Sequence, residues 1–579
     1  MLGEKFVSVQ SVRPPLRRAL CSALLLGIAS AWAAPAFAAP ARVTAPDGTF
    51  QGKFDATGAV REFLGIRYAQ PVTGNLRWKA PQPVTPSVAT QDATQFGNHC
   101  PQVATPYGNA TLTEDCLFLN VFTPNRGDDH GRHDDHDRRG DHDDNDAHPV
   151  MVWIHGGSLV VGESDAYDAS KLAQRGVVVV TINYRLGALG FLAHPALTAE
   201  SPDQVSGNYG IQDQQAALKW VRRNIRAFGG DPDRVTVFGE SAGGLSTFVH
   251  LVSPRSKGLF HRAIVESGAY MQTQPTLAQT ETRGSRFATA VGCNQPTPAD
   301  VLACLRGLSV STILASQGLT LLGSGAPPNV DGKVLTQSVG TALASGQFNR
   351  VPLMNGTNHD EWRLFVGSGF DLAGGPVTST TYVAAITATI GNAAVAPQVA
   401  TLYPVPAQFS SFDAGVGAVG TDVNYACPAH FVDEIASAFV PIFAYEFADE
   451  NAPQNYLPPM SIPYAASHAS ELQYLFPFTS PSGFGLNLPQ LPLDANQQKL
   501  SDRMVGYWTE FARNGDPNGH GQPFWPRFHR DRQVFQSLVP PSPITGTNFA
   551  TAHQCDFWDT LAGRTLPPDT GHDHSAAND

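Results

Sequence analysis

The stretch VTVFGESAGG (Val235–Gly244) joins β-branched and aromatic residues to a serine with glycine two positions before and after it. Val235–Phe238 reads as a buried strand, and the small residues after Ser241 read as the start of a helix. The serine therefore stands at the tip of a strand–turn–helix. So sharp a turn requires small neighbours, because side chains at Gly239 or Gly243 would crowd the serine. GxSxG recurs by chance in a chain with 54 glycines, so its surroundings must decide.

Outward from this turn, strand and helix alternate. Apolar, β-branched runs at Val150–Ile154, Val177–Ile182, Ala263–Glu266, Val351–Asn355 and Pro441–Phe447 have the pattern of strands buried on both faces. Before Val235, Leu218, Val221, Ile225 and Phe228 recur at helical spacing, with Arg222, Arg223 and Arg226 on the charged face. This predicts an α/β fold: a large, mostly parallel central sheet flanked by helices. No internal repeat or linker divides the chain, so residues 39–579 read as a single domain.

Ligands of open α/β sheets gather beyond the carboxyl ends of the strands. A serine hydroxyl there becomes a nucleophile only when a base takes its proton and an acid orients that base. On this type of turn the chain order is serine, acid, histidine. After the Val351 strand, GTNHDEWRLF offers Asp360 and Glu361. Further on, YAASHASELQYLF places His468 in a loop of small residues, where an imidazole can swing toward the serine. After Val150–Ile154 comes HGGS, whose glycines let backbone N–H groups approach a substrate oxygen. Each such preorganised donor is worth about 3 kcal/mol in a transition state.

The compartment is read at the amino end. Arg13, Arg17 and Arg18 precede the apolar ALCSALLLGIASAWAA, and Ala36–Ala38 offers a small-residue cleavage site. Residues 1–38 read as an export signal, and the apolar run is short for a membrane span, so no stable membrane insertion is expected. The full chain carries a formal charge of −12; removing the leader takes away four basic residues and one acidic one, leaving −15. Such an acidic protein is a poor candidate for binding nucleic acid or anionic membranes. Six cysteines remain, an even number that suggests disulfides and allows fifteen pairings; none forms a CxxC pair.

One segment competes for attention. RGDDHGRHDDHDRRGDHDDNDAH (Arg126–His148) holds five histidines and nine aspartates, all of metal-ligating type. Without apolar residues, 126–148 is expected to be a solvated, disordered insert. Adventitious binding of zinc, nickel or calcium is the second reading, and no structured metal site is expected. The tail from about residue 566 also reads as flexible.

The residues around the serine carry a family resemblance. FGGDPDRVTVFGESAG (Phe228–Gly243) resembles the serine signature of the type-B carboxylesterase and cholinesterase family, which has the α/β-hydrolase fold. EDCLFLNVFTP (Glu114–Pro124) is similar to its second signature, with Phe118 where Tyr or Thr is usual. FLGIRYAQP, NLRWKAPQP, NYRLGALGFL and GNYGIQDQQAALKWV match as well, so the resemblance runs from about Ala45 to Leu561.

The resemblance implies a catalytic triad of Ser241, Glu361 (in preference to Asp360) and His468, with Gly157, Ser158 and Ala242 donating to the oxyanion. It implies the pairs Cys100–Cys116, Cys293–Cys304 and Cys427–Cys555, and no cofactor or catalytic metal. Ser158 stands where the family has Gly or Ala, and its hydroxyl is expected to narrow the acyl pocket. Leu159 and Val160 replace aromatic residues, and Trp362 replaces a glycine. The Cys100–Cys116 loop lacks the tryptophan that stacks on choline in cholinesterases and offers Tyr107, so choline esters are disfavoured. The expectation is a secreted or periplasmic serine carboxylesterase acting on small-molecule or polymeric esters through an acyl-enzyme. A relative specialised for polyester, lactone or amide bonds is the alternative, and a non-catalytic adhesion or metal-binding protein is a remote third.

Overall fold

Burial on both faces forces the β-branched runs into the middle of a sheet, since only there are their backbone groups and side chains both covered. The computed structural model describes residues 41–125, 147–318, 327–455, 457–477 and 491–566. The expected leader, the histidine–aspartate run up to residue 146 and the tail beyond 566 lie outside the described residues. His148, the last residue of that run, is already the first residue of a strand. The described residues form one compact unit.

In chain order the strands are β1 (Arg42–Ala45), β2 (Gly48–Gln51), β3 (Lys53–Phe54), β4 (Val60–Arg67), β5 (Thr90–Asp92), β6 (Phe118–Pro124) and β7 (His148–Ile154). They continue as β8 (Val178–Ile182), β9 (Gly230–Glu240), β10 (Arg262–Glu266), β11 (Leu353–Asn358), β12 (Ile442–Phe447), β13 (Phe535–Leu538) and β14 (Ile544–Gly546). Eleven form one sheet in the order β14-β13-β12-β11-β10-β9-β7-β8-β6-β4-β3, while β1, β2 and β5 form a small separate sheet. Pairings from β13 across to β8 are parallel; β14 on one margin and β6, β4 and β3 on the other are antiparallel. The central sheet is therefore mixed around a parallel core. Its margins escape a sequence reading because strands such as β4, VREFLGIR, mix buried and half-buried residues instead of running apolar throughout.

Side chains alternate along a strand, so each strand feeds two cores. Val150, Val152 and Ile154 of β7 join one buried cluster, and Met151 and Trp153 join the other. Helix Tyr209–Asn224 covers the first face with Leu218 and Val221. Ile225 and Phe228 follow in a short 3-10 turn that ends at Gly229, φ 89°. Arg222 and Arg223 point outward, and Arg223 pairs with Asp47. Helix Ala495–Asn514 covers the second face with Trp508 and Phe511.

The connections position the site. From β7 the chain runs outward to β8, then returns across β7 to β9 and proceeds in the opposite direction. This reversal opens a crevice beyond the carboxyl ends of β7 and β9. The HGGS loop leaves β7 there, and Ser241 follows the last residue of β9.

The cysteines pair Cys100–Cys116, Cys293–Cys304 and Cys427–Cys555. The last closes a separation of 128 residues, worth about 5 kcal/mol in the chain-entropy model, against about 3 for each shorter loop. It ties helix Cys555–Ala562 to helix Cys427–Ala436.

Candidate active site

Ser241 occupies φ 55°, ψ −118°, a conformation that a serine rarely adopts. The turn is held because Ser241 N–H donates to Glu266 O of β10 (2.9 Å) and Ser241 O accepts from Leu245 N–H (2.9 Å). The flanking glycines serve this turn by a contact the sequence does not reveal. A Cβ on Gly243 would lie 1.8 Å from Ile154 O, and one on Gly239 2.5 Å from the same oxygen. What they would crowd is the end of β7 and, for Gly239, also the turn itself at Gly243 C (2.6 Å) and O (2.7 Å).

Glu361 and His468 are brought together. Glu361 is fully buried just beyond β11, its Oε1 accepting from Asn358 N–H (2.8 Å) and Thr357 Oγ1–H (2.7 Å). Its Oε2 lies 2.5 Å from His468 Nδ1. Asp360 is directed elsewhere, to Arg363 (2.8 Å) and His359 (3.2 Å). The His468 imidazole does not sit in open space as its small-residue loop suggests. It is 5% exposed, with the Phe365 and Tyr425 rings at 5.2 and 5.0 Å. Packed between these rings, the imidazole lines the same cavity as Ser241.

Its other nitrogen meets a group that sequence reasoning passed over. His468 Nε2 is 3.1 Å from Oε1 of Glu240, the residue immediately before Ser241. The signal was in the opening stretch, where a charged residue ends an otherwise apolar strand. Burial alone would lower the His468 pKa, but the two carboxylates Glu240 and Glu361 outweigh it and raise the pKa above 6.5. Glu240 is pushed up to about 7, mainly by burial, with His468 opposing and Glu361 reinforcing.

Two more buried carboxylates stand behind it. Glu266 Oε1 accepts from Trp508 Nε1–H (2.8 Å), and burial lifts its pKa to about 8. Glu471 Oε2 accepts from Asn358 Nδ2–H (2.5 Å), and burial together with Glu240, Glu266 and Glu361 holds it well above the carboxylate range. Such a cluster stays partly protonated near neutrality, because several unshared negative charges in one dry region would be prohibitive.

The HGGS loop is shaped for close approach. Gly157 has φ 92°, and a Cβ there would lie 2.2 Å from Val161 O. A Cβ on Gly156 would lie 2.6 Å from Glu240 Oε2 and 3.1 Å from Ser241 Cβ. Ser158 and Leu159 also take positive φ, and Val160 and Val161 N–H both donate to Gly157 O at 3.0 Å. Gly157 and Ser158 thus line the cavity with Ser241, and Ala242 is the first residue of helix Ala242–Val252, whose end presents N–H groups and positive dipole.

That cavity measures about 540 Å³. Its walls are aromatic: Tyr107 from the first disulfide loop, Tyr167, Tyr270, Trp362, Phe365 and Tyr425. Trp362 fills the space against Gly420, where a Cβ would lie 2.0 Å from its ring, so the bulky residue and the distant glycine are matched. The cavity therefore has a tryptophan, although not from the Cys100–Cys116 loop. Among the described residues, His99, Glu163 and Asp165 bring possible ligand atoms within 4.8 Å of one another. Glu163 already accepts from Asn109 N–H (3.1 Å) and Nδ2–H (2.7 Å), and burial lifts its pKa to about 7. These three lie apart from Arg126–His148 in sequence.

Comparison with known proteins follows the same line. Residues 39–558 match the sequence model of the Carboxylesterase family. The chain is 33% identical to the acylcarnitine hydrolase of Mus musculus over 545 residues, covering 90% of each chain. It is 32% identical to the cocaine esterase of Homo sapiens over 533 residues, 87% of each. With the fumonisin B1 esterase of Sphingopyxis macrogoltabida it shares 35% over 501 residues, 82% of this chain and 83% of that one.

Proposed function

Since the chain belongs to the carboxylesterase family and is a carboxylic ester hydrolase, we propose that Ser241, His468 and Glu361 perform the hydrolysis through an acyl-enzyme. The observation that carries this is the buried Glu361–His468 pair at 2.5 Å, facing a cavity that also holds Ser241 on a strained turn. Ser241 Oγ attacks the ester carbonyl while His468 takes its proton, and Glu361 fixes the ring and offsets the imidazolium charge. The oxyanion is held by N–H groups of Gly157, Ser158 and Ala242. Collapse expels the alcohol, which leaves with the proton from His468. Water, deprotonated by the same ring, then attacks the acyl carbon, and the acid departs as Ser241 regains its proton.

The aromatic walls favour esters with an apolar or ring-bearing arm, which such surfaces bury well. The names of the relatives, which include an acylcarnitine hydrolase, a cocaine esterase and a fumonisin B1 esterase, support small-molecule esters before polymeric ones. Export fits the chain: its leader has the pattern of a secretory signal, and three disulfides suit an oxidising compartment. Among the described residues no single helix is long and apolar enough to cross a membrane.

The test is covalent. A fluorophosphonate should add one mass equivalent to the parent protein at Ser241 and none to Ser241→Ala, whose turnover should fall on the order of a millionfold. Labelling and hydrolysis persisting in Ser241→Ala would refute the assignment.

A further inference from the structure

The cavity that holds Ser241 has one feature ester hydrolysis does not require. Among the described lining residues Arg283 is the sole lysine or arginine; the one carboxylate and the one imidazole, Glu240 and His468, belong to the catalytic end. Arg283 makes no hydrogen bond or ion pair among the described residues. Its place is set by packing. It lies on helix Leu277–Ala290, whose buried stripe is Thr280, Gly284 and Ala288. Gly284 sits so tightly on the chain at Ala193 that a Cβ would come 1.7 Å from Ala193 O. That contact fixes the helix rotation and turns the adjoining flank, Gln279 and Arg283, to the cavity; residues four apart share one helix face.

Gln279 is fixed as well. Its Oε1 accepts from Thr276 N–H (2.9 Å) in a capping box, so its amide N–H₂ is the end left for a ligand. Arg283 adds a guanidinium fork on the same flank. Both side chains are solvent-exposed donors on a helix that lines the aromatic cavity, and together they match the planar pair of oxygens of a carboxylate.

We propose that this enzyme prefers esters bearing a carboxylate on one arm, which Arg283 and Gln279 hold while the ester carbonyl lies at Ser241. The proposal rests on the reading of Ser241 as nucleophile and adds the substrate class. It also gives the acidic chain a local means of admitting an anion that its net charge of −12 otherwise repels.

Two matched pairs of esters test it: p-nitrophenyl hydrogen adipate against p-nitrophenyl hexanoate, and 4-carboxyphenyl butyrate against phenyl butyrate. The charge sits on the acyl arm in the first pair and on the alcohol arm in the second. Arg283→Gln should lower the charged-to-neutral ratio of kcat/KM about tenfold in one pair, mainly through KM. Arg283→Lys should restore part of it, and high salt should shrink the parent ratio. Ratios unchanged in both pairs overturn the proposal. If instead no ester turns over in a Ser241-dependent way, the nucleophile reading has failed, and binding still reads the contact. Calorimetry of monomethyl adipate with Ser241→Ala should show about fivefold weaker binding once Arg283→Gln is added; equal affinities would overturn the proposal independently of turnover.

Discussion

Gly243→Ala asks whether the serine turn and the oxyanion loop are one mechanical unit. The added Cβ would lie 1.8 Å from Ile154 O and 2.8 Å from Ile154 C, both backbone atoms. No rotamer change relieves that clash. Reaching even a tight 3.0 Å from the oxygen requires the turn and the end of β7 to part by about 1.2 Å. Overpacking of this kind costs about 1–3 kcal/mol. For a unit this large, an unfolding entropy of about 2.1 cal/mol/K per residue makes each kcal/mol worth only about 1 °C in Tm. Geometry is the far more sensitive readout, because misplacing a reacting group by about 1 Å costs on the order of a hundredfold. The variant should therefore lose about two decades of kcat/KM on a soluble ester while Tm falls by only a few degrees. Gly307→Ala, with nothing within 4 Å of its added Cβ, is the control and should leave both nearly unchanged. Should Gly243→Ala retain kcat/KM within about threefold of the parent, the close packing of Gly243 on Ile154 does not set the catalytic geometry.

Three further outcomes follow from the charges. His468 must be neutral to act as base, and Glu240 and Glu361 raise its pKa, so kcat/KM should begin to fall, as pH decreases, from above 6.5. Glu240→Gln removes one of the raising carboxylates and should move that limb to lower pH; a shift upward, or none, would count against the Glu240–His468 contact. His553 is buried between Asp422 (2.6 Å) and Glu446 (2.8 Å), which outweigh the lowering effect of burial and raise its pKa from 6.5 to about 10. A pKa raised by folding gives stability fully present below pH 6.5 and lost as pH climbs toward about 10. The Tm difference between the parent and His553→Gln should accordingly narrow across that range, and a difference constant with pH would show that His553 is not charged in the folded state. Exhaustive dialysis against a chelator should leave ester hydrolysis intact if serine chemistry carries it; lost turnover with retained Tm would point to an essential metal.

How much was legible beforehand depends on the range of the interaction. Val150–Ile154 and Val235–Phe238 declare themselves as strands because burial on both faces leaves a local, continuous apolar run. The serine turn is equally local, and the resemblance singled out Glu361 where spacing alone left Asp360 open. Glu240 was in plain view and was missed, since nothing in a linear reading says that a histidine 228 positions later will face it. The cavity walls were less legible still. The resemblance drew attention to Tyr107 and Trp362, but Tyr270, from the connection after β10, and Tyr425, from the same β11–β12 connection as Trp362, each read on its own as an ordinary aromatic residue.

VTVFGESAGG by itself determined the class of turn, the candidate nucleophile and, with its alternating neighbours, the α/β architecture. Those are properties of short segments, governed by periodicity and by the steric needs of a few consecutive residues. The tertiary structure alone decided what the turn is pressed against, which carboxylate meets which side of His468, and which residues wall the cavity. Each of those depends on chain reversals that bring together residues tens to hundreds of positions apart, and a pKa or a pocket exists only after that assembly has excluded water. The glycines are the clearest case: their presence was legible, but the partner they make room for, Ile154 at the end of β7, was not.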